Sequence, residues 1–175
     1  SIKRDEKTII PRGDTVFHSG DHIVFMTEPG GEEELLKLSG QNNGIIKNVM
    51  ILGGGRVGKK VAQDLSSNNF NVKLVEIDKD RAEELAEDLE NCLVIYGDGT
   101  NTELLDEESL DQMDSFIAVT GDSEDNIMSS LIAKSKGINK TIALVDNLDY
   151  YKLTQISGID TLINKKLLAA DAISK

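Results

Sequence analysis

The chain has 175 residues, enough for one ordinary domain and a small appendage, and a formal net charge of −12. That charge argues against nucleic acid, which needs a surplus of Lys and Arg against its phosphates. No apolar run is long enough to span a bilayer, and no signal peptide is visible, so a cytosolic protein without direct membrane insertion is expected. The single cysteine, Cys92, allows no intrachain disulfide and reads as a small buried hydrophobe at the start of a strand. The first residue is Ser1 rather than Met, which points to a fragment.

In chain order, Lys7–Ile10, Thr15–Phe17 and His22–Met26 are short β-like runs separated by Pro11-Arg12-Gly13-Asp14 and Ser19-Gly20-Asp21 turns, and Glu32–Leu38 reads as a short helix. This piece is too small for a core of its own. Ser39-Gly40-Gln41-Asn42-Asn43-Gly44 has linker composition. The expected division is therefore a β-rich subdomain over residues 1–40, a linker over 41–46 and an α/β domain over 47–175.

The α/β part opens on the most informative segment. Asn48–Leu52 is a continuous apolar run suited to a strand buried on both faces, and Val57, Val61, Ala62 and Leu65 then recur at helical spacing. Between them lies Gly53-Gly54-Gly55-Arg56-Val57-Gly58. In this context Gly53 permits a tight turn, Gly55 lets the backbone approach a pyrophosphate, and Gly58 lets the helix pack close to the strand. The helix N-terminus offers N–H groups and a positive dipole end to that anion. Val72–Val75 forms the next strand, and Glu76 ends it about 20 residues past the glycine turn, as a dinucleotide site expects. A carboxylate there accepts hydrogen bonds from the adenosine ribose and repels a 2′-phosphate, which favours NAD(H) over NADP(H).

A helix over Arg81–Leu89, strands at Cys92–Tyr96, Phe116–Val119, Thr141–Val145 and Thr161–Ile163, and a helix over Ile127–Lys136 complete the alternation. It predicts a Rossmann-like, doubly wound parallel sheet with ligands at the carboxyl ends of the strands. Asp98 follows the third strand, where it could meet the adenine amino group or cap the next helix. Thr120 and the backbone of Gly121 follow the fourth and could line the pocket; Asp122 and Ser123 read as caps, given the acids of the next turn. The acids of Glu83–Asp88 and Glu103–Glu108 read as solvated helix faces, and no His/Cys/carboxylate cluster has metal-ligand spacing.

Gly53–Gly58, Val75-Glu76-Ile77-Asp78, Tyr96–Thr100, Ala118-Val119-Thr120 followed by Asp125-Asn126, and Ile142–Val145 together resemble the RCK, or KTN, domains that regulate potassium channels and transporters. Thr8–Asp14 through Gly20–Val24 looks like the second half of the β-rich C-terminal subdomain of that family. The resemblance covers nearly the whole chain and implies two tandem units in a parent protein. It also implies a cytoplasmic, non-enzymatic regulatory subunit, homo-oligomeric, and peripheral on the membrane's inner face through a potassium transporter partner. By similarity, the backbone of Gly53, Gly54, Gly55, Arg56 and Val57 would hold pyrophosphate, Glu76 the ribose, and Asp98, Thr120 and Gly121 would line the pocket. Many members carry Arg or Lys where Leu144 stands, a position used toward phosphate; NAD(H) is then the first expectation and ATP or ADP the second. Asn164–Ala170 looks like the start of the family's helix that crosses to a dimer partner, although Leu167, Leu168 and Ala172 could equally pack on their own sheet. Other classes that use a glycine turn are the cofactor domain of an NAD-dependent dehydrogenase and a methyltransferase. The first lacks an acid/base constellation, since His18 and His22 lie in the leading β segment; the second does not require the complete spacing to Gly58.

Overall fold

The structure, a computed structural model, describes residues 2–4, 7–23, 31, 46–147, 150 and 158–164. The chain divides into two units, Ser1–Asn43 and Gly44–Lys175.

In the first unit three short strands, β1 (Ile2–Arg4), β2 (Lys7–Ile9) and β3 (His22–Ile23), form an antiparallel sheet in the order β2-β1-β3. Ile2 is fully buried and lies opposite both Ile9 and Ile23. The Arg4 guanidinium clamps the Asp21 carboxylate through two bonds of 2.7 Å, a bidentate geometry that holds the β3 approach to β1. Two expectations change here. Thr15–Phe17 forms no strand; Val16 and Phe17 are exposed, and the segment is held by the Thr15 N–H to Arg12 carbonyl bond of a turn. Ile2–Arg4 is a strand that the sequence pattern, with one apolar residue, did not announce. The expected helix Glu32–Leu38, the linker over Ser39–Gly44 and the run past Ile23 lie outside the described residues, apart from isolated positions.

The second unit carries a parallel sheet of six strands: β4 (Asn48–Leu52), β5 (Asn71–Glu76), β6 (Cys92–Tyr96), β7 (Ser115–Ala118), β8 (Lys140–Val145) and β9 (Thr161–Asn164), in the order β6-β5-β4-β7-β8-β9. Helices α1 (Arg56–Ser67), α2 (Lys79–Asp88), α3 (Thr102–Glu107) and α4 (Ser123–Ser135) connect them, with a 3₁₀ turn at Leu110–Gln112 that the sequence did not suggest. Helix α2 starts at Lys79, earlier than the expected Arg81, because Asp78 accepts the Arg81 N–H as its N-cap.

The apolar run of β4 is explained by cover on both faces. Val49 and Ile51 pack with Ala62, Val72, Leu74 and Leu85, while Met50 and Leu52 pack with Val75, Leu105, Phe116 and Ala133. Each of the Val, Leu, Ile, Met and Phe side chains among them, when fully buried, contributes about 1.5–3 kcal/mol of transfer free energy. At the amino end of β4, Asp114 accepts the backbone N–H groups of Lys47 and Asn48, both at 2.8 Å. Those bonds hold its carboxyl below the usual carboxylate range. The strand order reverses between β4 and β7, so the loops leaving their carboxyl ends diverge and open a crevice. Among the described residues no helix is long and apolar enough to cross a membrane. The segment after Asn164, expected to begin a crossover helix, lies outside the described residues.

Candidate functional site

The crevice is a cleft of about 450 Å³ lined by residues from the ends of β4, β5, β6 and β7. Gly53, Gly55, Glu76, Asp98, Thr120 and Gly121 of the sequence-derived set all line it. Gly54 and Arg56 instead line an adjoining cavity of about 390 Å³, which shares Gly55 and Arg81 with the main cleft. Val57 is half-buried against the core and Gly58 is buried, so neither lines these cavities.

The glycines divide the work. Gly53 has φ +100°, and a Cβ there would lie 2.9 Å from the Thr120 backbone. At Gly58 a Cβ would stand 1.8 Å from the Gly53 carbonyl oxygen, so α1 can approach the turn only without a side chain. Around Gly55 a Cβ meets nothing within 4 Å, which leaves the backbone open to the cleft. Gly54 has a packing role that the sequence does not announce: a Cβ there would meet the Leu85 Cδ1 atom at 2.2 Å and Glu76 Oε2 at 2.9 Å.

Helix α1 differs from its neighbours at the N-terminus. Asp78, Asn101 and Asp122 cap α2, α3 and α4 with side-chain oxygens, and each of those helices carries acid in its first turn. Gly55, the N-cap of α1, offers no side chain, and no acid stands in that first turn. The first-turn N–H groups and the positive dipole end are thus left for an anion.

Glu76 is 4 % exposed. Its Oε2 accepts the Gly54 N–H at 2.7 Å and its Oε1 the Asp78 N–H at 2.9 Å, so the carboxylate ties the glycine turn to the end of β5. Each oxygen retains a further lone-pair site for a ribose hydroxyl. The Arg81 guanidinium stands 3.8 Å from Oε2. Arg81 was not recognised from sequence; lying on a charged helix, it gave no local signal.

Asp98 does not cap α3, a role taken by Asn101, whose side chain accepts the Glu103 N–H. Asp98 Oδ1 instead accepts both the Thr100 N–H (2.9 Å) and the Thr100 hydroxyl (2.7 Å), which hold the carboxyl below its ordinary range. Oδ2 remains for a ligand donor. Thr120 lines the cleft, but its hydroxyl donates to Asn126 Oδ1 at 2.8 Å and accepts the Asp122 N–H at 3.1 Å, so it presents chiefly its methyl and backbone. Asp122 is the N-cap of α4, as expected; Ser123 is the first helical residue and its hydroxyl donates to Asp146. Asp125 also lines the cleft, and burial together with the negative charges of Asp122, Asp98 and Glu124 raises its carboxyl above the ordinary value. Leu144 is buried in the core and does not reach the cleft. Cys92 is half-buried, with its thiol pushed up to about 11 by desolvation. Among the described residues no group of three or more His, Cys, Asp or Glu is arranged to hold a metal ion.

Known proteins can be set beside this geometry. A Trk system potassium uptake protein homologue of Methanosarcina mazei is 35% identical over 176 residues, covering 100% of this chain and 43% of the relative. The chain spans less than half the length of the curated relatives it matches. Among solved structures, the TrkA-N domain of the inner membrane protein YbaL from Escherichia coli aligns with TM-score 0.65 at 18% identity, covering 74% of this chain and 95% of that one. The GsuK channel bound to NAD aligns with TM-score 0.59 at 24% identity, covering 67% of this chain and 21% of the channel. These two likenesses show the Rossmann-like α/β fold. The TrkA-N domain model matches residues 49–165 and the TrkA-C domain model residues 1–40, so the chain belongs to the TrkA-N domain family, with a TrkA-C segment ahead of it.

Proposed function

We propose that this chain is a regulatory module that binds an adenine nucleotide, NAD(H) first and ADP or ATP second, and controls a membrane potassium uptake system. The observation that carries this reading is one cleft holding three features: a glycine turn open at Gly55, an α1 N-terminus with no capping side chain, and a buried carboxylate at the end of β5. The backbone of Gly53–Val57 would take the pyrophosphate, Glu76 the adenosine ribose, and Asp98 with the Thr120–Gly121 backbone the remaining wall. Arg81 steadies the Glu76 charge from the solvent side.

The titratable groups lining the described cleft are carboxylates and Arg81, and the Glu76 and Asp98 carboxylates already accept protein N–H or O–H groups. Such carboxylates suit the hydroxyl and amino donors of a ligand. Control then needs only different nucleotide affinities in two states of an assembly. The reading includes a homo-oligomer on the cytoplasmic face of the membrane beside a potassium transporter subunit; the names of the Trk system relatives support the link to potassium uptake. It divides the chain into a TrkA-C-like part at 1–40, a linker at 41–46 and the nucleotide domain at 47–175.

Isothermal titration of the chain with NAD⁺, NADH, NADP⁺, NADPH, ADP and ATP tests the reading. NAD(H) is expected to bind more tightly than NADP(H), since Glu76 disfavours a 2′-phosphate. Equal or tighter binding of NADP(H) would refute the ribose assignment, and no binding by any of the six would refute the nucleotide reading.

A further inference from the structure

Asn126 on α4 is 1 % exposed and does not line the cleft. Its side-chain oxygen accepts the Thr120 backbone N–H at 2.9 Å and the Thr120 hydroxyl at 2.8 Å. Its amide nitrogen donates to the Leu144 carbonyl at 2.8 Å and, at 3.3 Å, to the Thr120 carbonyl. Two donors and two acceptor sites are therefore all in use.

The position of these partners gives the arrangement meaning. The pairing of β7 with β8 ends at Ala118 opposite Ala143, so Thr120 and Leu144 lie past the last backbone rung. The side-chain amide of Asn126, a group with the chemistry of a peptide, stands between them and extends the connection. Thr120 in turn touches the glycine turn, since a Cβ on Gly53 would come within 2.9 Å of its N and Cα atoms. The two walls that would grip a nucleotide meet at Thr120, and Thr120 is fixed through Asn126 to β8. No residue of β8 lines the cleft.

We propose that Asn126 is a positioning residue that sets the Thr120–Asp122 wall at the spacing a nucleotide needs and carries occupancy of the cleft to β8. The proposal rests on the nucleotide reading above. An aliphatic side chain at 126 could fill the same volume, but it would strand the Thr120 N–H and the Leu144 carbonyl inside the protein. A bound nucleotide that presses on the Thr120–Gly121 backbone would, through the same amide, restrain the carboxyl end of β8 and with it the β8–β9 pair.

Amide hydrogen exchange with and without saturating NADH, on the wild-type chain, Asn126→Ala and Thr120→Val, tests this. In the wild type NADH is expected to slow exchange at Gly53–Gly58 and also in β8. In Asn126→Ala, saturating NADH still slows the glycine turn, the slowing in β8 is lost, and affinity falls about tenfold, the factor one ordinary hydrogen bond controls. Thr120→Val, which keeps the side-chain shape and removes only the hydroxyl, is expected to weaken the β8 response in part. It also serves if Asn126→Ala does not fold: a β8 response and an affinity equal to wild type in Thr120→Val would overturn the proposal. So would an undiminished β8 response in Asn126→Ala. Slowing at the glycine turn without slowing in β8 of the wild type overturns the relay and leaves the nucleotide reading standing; no slowing at the glycine turn removes both.

Discussion

Alanine at Gly58 and alanine at Gly55 separate what the glycine turn does for the fold from what it does for a ligand. At Gly58 the new Cβ would sit 1.8 Å from the Gly53 carbonyl oxygen, 3.0 Å from its carbonyl carbon and 3.3 Å from Val119 Cγ2. A backbone oxygen cannot turn away as a rotamer can, so α1 must withdraw from the turn by more than an ångström. Overpacking of this kind costs about 1–3 kcal/mol, and a clash with backbone belongs at the upper end. For a domain of this size about 3 kcal/mol corresponds to a fall in Tm of roughly 10 °C. At Gly55 the Cβ meets nothing within 4 Å, and φ −64° with ψ −176° is open to any L residue. Ligand-free stability is then unchanged or raised by about 0.4–1 kcal/mol through the unfolded chain. The methyl group would nevertheless occupy the cleft-facing space beside the α1 N-terminus, and the Tm gain from NADH should largely vanish. Differential scanning fluorimetry of both variants with and without NADH reads all four quantities. A Gly58→Ala protein as stable as wild type would refute the packing argument. A Gly55→Ala protein that keeps the full NADH shift would refute the assignment of the turn to pyrophosphate.

Glu76→Gln places an amide where one of the two carboxylate oxygens accepts a backbone N–H, from Gly54 or Asp78. One buried donor loses its partner, and chemical denaturation should show a loss of about 1–3 kcal/mol. In the same variant the preference for NADH over NADPH should narrow, as isothermal titration would reveal. The Asp114 carboxyl is held below its ordinary value by the Asn48 and Lys47 N–H groups. A depressed folded pKa stabilises the fold above the unfolded value of about 3.9 and that stability is lost as pH falls through the folded value. Asp114→Asn should therefore lower the Tm at pH 7 and flatten its fall below about pH 4, as calorimetry across pH 2.5–7 would show.

The parallel sheet and the glycine turn were legible because their signals are local: a strand buried on both faces is apolar at every position, and a turn at φ +100° calls for glycine. Gly53, Gly55 and Gly58 could be given separate roles on spacing alone; the structure shows the tight turn at Gly53 and the close helix packing at Gly58, while the role of Gly55 toward a pyrophosphate belongs to the proposed function. The structural role of Gly54 was not legible, because the Leu85 and Glu76 side chains that exclude a Cβ come from α2 and β5. Arg81 was hidden for a similar reason, since only the folded chain brings it to Glu76. From sequence Asp98 suits either an adenine contact or a helix cap; in the fold it bonds locally to Thr100 instead of capping, and Asn101 is the cap. In the first unit, Thr15–Phe17 has strand-forming residues but its apolar side chains find no sheet to cover, while Ile2 becomes a buried strand residue through partners at Ile9 and Ile23.

A crystal structure of the chain with NADH is the most direct measurement of the central claim. The pyrophosphate is expected against the Gly53–Val57 backbone at the α1 N-terminus, the adenosine ribose hydroxyls within hydrogen-bond distance of Glu76, and the Thr120–Gly121 backbone as the opposite wall. Density for the nucleotide elsewhere on the protein, or a ribose turned away from Glu76, would contradict it.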